Sequence, residues 1–94
     1  MDQRALTHDD ESEHPLTGRI VRQLDSERWV RASAVRMRDM GQVFHVEAFV
    51  VPRHRKVEVA QIEAAREGIA AMDWKVQDVV IVVVPTLPDE AARR

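Results

Sequence analysis

The chain has 94 residues, with 16 acidic and 14 basic side chains, a formal net charge of -2 and no cysteine. This length allows one small domain, and the lack of cysteine excludes disulfide cross-links and thiolate metal sites. The nearly balanced charge argues against nucleic acid as the main partner.

Residues 1–14 form an acidic lead-in. They contain five acids and one arginine, a net charge of -4, while residues 15–94 contain 11 acids and 13 bases, a net charge of +2. This contrast predicts a flexible polar segment over 1–14, a folded domain over 15–88 and a short tail over 89–94. His8 and His14 enclose four carboxylates. That set suits a divalent cation, but it is equally typical of an acidic linker.

The first predicted helix begins at Pro15, because proline suits the first helical position. Leu16, Ile20 and Leu24 then recur at four-residue spacing and define one apolar stripe. We expect this helix to end near Asp25.

A β-hairpin is predicted over residues 29–51. Apolar and polar side chains alternate along 29–38, and Arg36 and Arg38 point to the same side. The turn at 39–41 contains Gly41, which can take a positive φ. The second strand covers 43–51 and ends at Pro52.

Residues 57–72 have the strongest helical pattern, and residues 76–84 follow as a third strand. The apolar face of this helix is predicted to hold Val59, Ile62, Ala65, Ile69 and Met72. The strand contains the longest apolar run, 79–84, which is far shorter than the roughly 20 residues of a membrane-spanning helix. Being apolar on both sides, the strand should be covered on both faces. Trp29 and Trp74, just before two strands, are predicted hydrophobic caps of the sheet ends, with ligand stacking as the alternative.

The element order helix–strand–strand–helix–strand predicts an α+β, two-layer sandwich with both helices on one face of a three-stranded sheet. The opposite face then lacks cover although it is partly apolar. A folded part this small buries only roughly 60% of its unfolded surface, and a bare apolar patch usually marks an association surface. We therefore predict a homodimer whose interface includes Val43, Phe49, Val51, Val80 and Val82.

Charged side chains share this uncovered face. In a dimer, His45 and Glu47 from each copy would make a four-ligand set that zinc accepts. The neighbouring Arg36 and Arg38 repel a cation and favour pairing with Glu47 across the hairpin. His45 and Glu47 are therefore weak metal candidates, and both interpretations stay open.

A basic run, Arg53-His54-Arg55-Lys56, follows the second strand. Arg53, Arg55 and Lys56 would each contribute about 1 kcal/mol near a surface of anionic lipid headgroups. A solvated loop has the same composition.

Enzyme signatures are missing from the sequence. It contains no phosphate-binding loop, no dinucleotide glycine pattern and no zinc-protease motif, and no serine stands in a recognisable arrangement with a histidine. We predict that the protein is not an enzyme.

The element order, the R-x-R-x-x-G signature of Arg36, Arg38 and Gly41, the acid-tipped hairpin and the hydrophobic strand before Pro85 resemble a known family. This family is the cytoplasmic C-terminal domain of cation diffusion facilitator transporters, and the resemblance covers about residues 15–86. It implies a ferredoxin-like, metallochaperone-like fold with a mixed sheet, and a homodimer beneath a membrane-embedded transport domain. It places the chain, itself soluble, on the cytoplasmic side of the membrane, with the acidic lead-in where the chain would leave the bilayer.

The resemblance also implies divalent-metal binding between two copies, but this sequence departs from the family at the usual ligand positions. Those positions hold Ser33, Ala48, Val82 and Val84, none of which is a good zinc ligand. The expected function is thus a dimerisation and regulatory domain of a divalent-cation efflux transporter that requires no cofactor, with zinc as the low-ranking candidate. The alternatives are a stand-alone ferredoxin-like module that binds a ligand or protein, and a soluble metal carrier.

Overall fold

The computed structural model describes residues 14–88. Residues 1–13 of the lead-in and the tail over 89–94 lie outside the described residues. The described elements are α1 (Pro15–Asp25), β1 (Val30–Asp39), β2 (Phe44–Pro52), α2 (Val59–Ala70) and β3 (Val76–Val83). The predicted order is confirmed, and the bounds agree with the sequence prediction to within two residues. None of the helices within 14–88 has the length and apolarity required to cross a bilayer.

α1 begins where the sequence predicts, because His14 and Pro15 together start it. His14 is the N-cap residue, and its Nδ1 accepts a hydrogen bond from the Leu16 N–H at 3.0 Å. Pro15 occupies the first helical position, where its missing N–H costs nothing. The apolar stripe is buried as predicted, with Ile20 and Leu24 both 0% exposed. His14 therefore serves the helix with one ring nitrogen, whereas the sequence grouped it with His8 as a metal candidate.

The three strands form one mixed sheet in the order β1-β2-β3, with β1 antiparallel to β2 and β2 parallel to β3. The hairpin closes at Gly41, whose φ is 105°, a value at which a Cβ atom would be strained. The Met40 N–H donates to the Val43 carbonyl at 2.8 Å. Val43, predicted in the second strand, therefore lies in the turn.

Both helices cover the same sheet face, α1 over β1 and α2 over β3. The core lies between these layers, and Met37, Val46, Ala48 and Val50 are all 0% exposed. Alternate residues of β2 point to this core, as the predicted period of two requires.

The predicted apolar face of α2 is partly wrong. Ala65 and Ile69 are buried, but Val59 is 74% exposed. At 3.6 residues per turn, Val59 lies about 100° around the helix from the midpoint of Ala65 and Ile69, and so falls at the flank of the buried stripe. The helix also begins two residues later than predicted, because the N–H of the N-cap residue Glu58 donates to Gln61 Oε1 at 2.9 Å.

The prediction that β3 is covered on both faces is wrong for the single chain. Val80, on the face that neither helix covers, is 41% exposed. Val83 pairs with the buried Val50 but is 40% exposed, because it is the last residue of an edge strand. Of the two predicted caps, Trp29 packs against the core, whereas Trp74 is 72% exposed. Trp74 lies in the turn before β3 with most of its side chain in solvent, so the prediction that it caps the sheet is wrong.

Candidate functional site: the open face of the sheet

The side of the sheet away from α1 and α2 is called here the open face. The strand registers place a mixed set of charged and apolar side chains on it. These are Arg36, Arg38, His45, Glu47, Phe49, Asp78, Val80 and Val82.

An ion pair joins the two strands of the hairpin across the open face. Arg36 Nη1 lies 3.2 Å from Glu47 Oε1, and the two side chains are 27% and 30% exposed. The same guanidinium lies 5.8 Å from the ring centroid of Phe49, close enough for a cation–π interaction. This is the cross-hairpin pairing that the sequence favoured for Glu47, and its partial exposure limits it to well under about 1 kcal/mol.

A second polar pair joins β2 to β3. His45 Nδ1 lies 2.7 Å from Asp78 Oδ2, with the side chains 23% and 66% exposed. His45 and Glu47 thus engage different neighbouring strands and do not converge on one point within a chain. The sequence analysis missed Asp78, because its position opposite His45 depends on the parallel register and on an irregularity between Phe44 and His45. No local pattern encodes that register.

The positions aligned with the metal ligands of the resembling family do not carry residues suited to bind a metal ion. Ser33 is 5% exposed, and its hydroxyl donates to Asp25 Oδ1 at 2.7 Å. Ala48 is fully buried on the helix-covered face, while Val82 pairs with Phe49 on the open face. Ser33 and Ala48 thus lie on the helix-covered face and Val82 on the open face, and none of the three offers a good ligand atom for zinc. Across residues 14–88, no three side chains of His, Cys, Asp or Glu gather as a metal site would require.

The apolar part of the open face is narrower than the sequence predicts. Phe49 and Val82 lie opposite each other and are half-buried, and Val80 is the most exposed, at 41%. Val51 is only 3% exposed and has little area left to bury. Val43 is half-buried in the hairpin turn. An apolar centre of Phe49, Val80 and Val82 bordered by ion pairs is typical of an association surface.

The three residues of the R-x-R-x-x-G signature have different structural roles. Arg36 holds Glu47, Arg38 is exposed beside His45, and Gly41 supplies the positive φ of the turn. Within this chain, the signature shapes the hairpin and its charged outer surface.

The basic loop lies at the far end of the sheet from the start of α1. The His14 and Phe44 ring centroids are 5.3 Å apart at the beginning of β2. At the other end of β2, the Arg53 N–H donates to the Trp29 carbonyl at 2.8 Å. Eight residue steps along an extended strand span about 26 Å, so Arg53, Arg55 and Lys56 lie about that far from His14.

Comparison with known proteins identifies the fold. The sequence matches no family model, and no curated protein matches it significantly. A histidine-to-glutamate variant of the MamM C-terminal domain has a TM-score of 0.60 at 16% identity, covering 79% of this chain and 95% of that one. An aspartate-to-glutamate variant in a cadmium form has the same TM-score and identity, covering 79% and 98%. A glutamate-to-histidine variant in a nickel form has a TM-score of 0.57 at 16% identity, covering 73% and 92%.

The chain has the fold of the MamM C-terminal domain. MamM is a cation diffusion facilitator, and its C-terminal domain is ferredoxin-like. The fold expected from the hairpin signature and element order is therefore confirmed. Since nearly the whole MamM domain has a counterpart here, the likeness concerns a complete domain.

Proposed function

We propose that this chain is the cytoplasmic dimerisation and regulatory domain of a divalent-cation efflux transporter of the cation diffusion facilitator family. The full-length fold likeness to MamM C-terminal domains supports this assignment, as does the Arg36, Arg38 and Gly41 signature in the hairpin. The domain acts by association and not by catalysis. Ion movement belongs to a membrane-embedded transport domain, which the dimer holds and regulates.

The observation that carries the proposal is the apolar centre of the open face. Phe49, Val80 and Val82 lie together on a sheet face that neither helix covers. A two-fold dimer applies the same patch of both copies to itself. Burying it removes apolar area from water, at about 25 cal/mol per Å². The flanking Arg36–Glu47 and His45–Asp78 pairs then form a polar rim.

In this dimer, apolar contact replaces metal as the principal link between the copies. The four positions aligned with the family's ligands carry no good donor, and His45 and Glu47 each have another partner. Some MamM C-terminal domains occur in cadmium and nickel forms. We propose that this chain has the same architecture with metal sensing weakened or lost, and that it requires no cofactor.

The predicted contact of Arg53, Arg55 and Lys56 with lipid headgroups stays a prediction. If the chain leaves the membrane near residue 14, this loop lies at the opposite end of the domain, about 26 Å away. Contact with the parent membrane would then require the domain to tilt. Binding to vesicles with and without phosphatidylserine tests this contact.

The test is a pair of valine-to-lysine variants measured by sedimentation equilibrium. We expect the unmodified chain to be a dimer without metal and Val80→Lys to be a monomer, since it places a desolvated charge at the centre of the interface. Val80 is 41% exposed and lies beside Glu47, so a lysine is tolerated in the folded monomer. Val59→Lys is the matched control, because Val59 is 74% exposed but lies on α2, outside the open face.

Three outcomes would contradict this proposal. A chain that is monomeric until zinc arrives would show that a cation, and not apolar contact, draws the copies together. A monomer under all conditions would favour the stand-alone binding module. Equal dissociation of the Val80→Lys and Val59→Lys dimers would place the interface elsewhere.

A further inference from the structure

A shallow groove of about 710 Å³ lies between the turn that joins α1 to β1 and the helix α2. It is distinct from the open face, and the proposed function does not use it. Its lining includes the guanidinium of Arg28, the imidazole of His54 and the indole of Trp29. Ser26, Gln61 and the acidic Glu27 also line it.

This end of the domain carries a cluster of cations without internal partners. Arg28, Arg53, Arg55 and Lys56 are exposed, and within residues 14–88 none of them forms an ion pair. The acids at this end include Glu27, which lines the groove, Glu58, at the start of α2, and Asp25, which accepts the Ser33 hydroxyl. Four cations against three acids leave a positive local charge, and a concave surface concentrates its field.

The groove combines this charge with an aromatic wall. Trp29 packs against the core while it lines the groove, so its indole is held in place for stacking. Arg28 offers the planar fork that binds phosphate oxygens, and His54, which also lines the groove, offers a further donor. The volume lies within the ~300–1,000 Å³ typical of small-molecule sites.

We propose that this groove binds a nucleoside phosphate, with the phosphate group between Arg28 and His54 and the base against Trp29. The shape favours a small ligand over a membrane, because Arg28 and His54 line a concavity that a flat lipid surface does not enter. The inference goes beyond the proposed function, since one copy of the chain contains the whole groove.

The experiment titrates the protein at low salt and follows the backbone amide and tryptophan indole N–H resonances by NMR. Magnesium-free ADP, inorganic phosphate and adenosine serve as separate probes. We expect ADP to shift the Trp29 indole resonance and to bind more tightly than phosphate or adenosine. Arg28→Glu should weaken ADP binding by at least about tenfold, because it replaces a charge-assisted contact with repulsion. His54→Glu should also weaken ADP binding, and it replaces Arg28→Glu as the test if Arg28→Glu lowers the stability of the fold.

The matched control is Arg19→Glu, the same charge change at an exposed position of α1 outside the groove. Equal weakening by Arg19→Glu and Arg28→Glu would show general charge attraction and overturn the site. Vesicles with and without phosphatidylserine form the last arm. Binding to the anionic vesicles without any response to ADP would replace the nucleotide site with lipid contact at Arg53, Arg55 and Lys56. No response to ADP would also overturn the inference, whatever the oligomeric state.

Discussion

At the residue scale, Ser33 shows how a position associated with metal by resemblance takes a different role. Its side chain is nearly inaccessible, and its hydroxyl donates to Asp25 at 2.7 Å. Ser33 belongs to β1 and Asp25 is the last residue of α1. The bond therefore connects the first helix to the sheet, and a metal ligand here would have to break it.

Removing this hydroxyl should destabilise the fold measurably. We expect Ser33→Ala to lower the free energy of unfolding by about 1 kcal/mol. The loss stays this small because Asp25 is exposed, so water can replace the lost hydrogen bond to its carboxylate. Urea denaturation measures it. Ser26→Ala is the control, since Ser26 donates to the Gln23 carbonyl from an exposed position and should cost less than about 0.5 kcal/mol. Equal losses would mean that the Ser33 bond does not link helix and strand.

At the element scale, β3 has two unequal edges. The Val84 N–H donates to the Val50 carbonyl at 2.9 Å. Backbone groups alternate in direction along a strand, so the N–H of Val82 also points to β2 and that of Val83 points away. Side-chain exposure does not reveal this difference, but proline substitution does, because proline removes the N–H.

Val82→Pro and Val83→Pro should therefore differ sharply. Val82→Pro removes a hydrogen bond of the ladder to β2 and leaves a carbonyl of β2 without its donor, which should cost about 1–3 kcal/mol. Val83→Pro removes an N–H that faces away from β2, and the extended residue before it tolerates proline, so the cost should stay under about 1 kcal/mol. Chemical denaturation at low protein concentration gives both values. A larger loss for Val83→Pro would show that the outer edge of β3 is paired.

The pairing of β3 also separates the features that the sequence predicts from those that it does not. Four-residue spacing located α1, and period two located the hairpin, because both are local consequences of backbone geometry. The β2–β3 pairing is non-local, and its irregular register decides that His45 meets Asp78. The near-complete burial of Val51 likewise depends on neighbours from separate segments. The Arg36–Glu47 pair of the open face was thus foreseeable from the hairpin, while the His45–Asp78 pair was not.

At the scale of the whole molecule, the domain is thin. Its extents are 36 × 27 × 16 Å, which leaves two layers and one core. A domain of this size buries only about 60% of its unfolded surface. Association through the open face would add a third layer, because the sheet of each copy would cover the open face of the other.

Zinc distinguishes a dimer held by apolar contact from one held by a cation. A cation at about a hundred times its Kd adds about 2.7 kcal/mol to the folded state, which raises the Tm of a domain this small by roughly 10–20 °C. With no good donor at the aligned ligand positions and both His45 and Glu47 engaged, we expect zinc to move the Tm by less than about 1 °C. Differential scanning calorimetry at fixed protein concentration measures the shift, with His45→Ala and His54→Ala as a matched pair. A large rise lost only in His45→Ala would establish a metal site on the open face. A large rise kept in both variants would assign the cation to the histidines of the lead-in, and either result would overturn a dimer independent of metal.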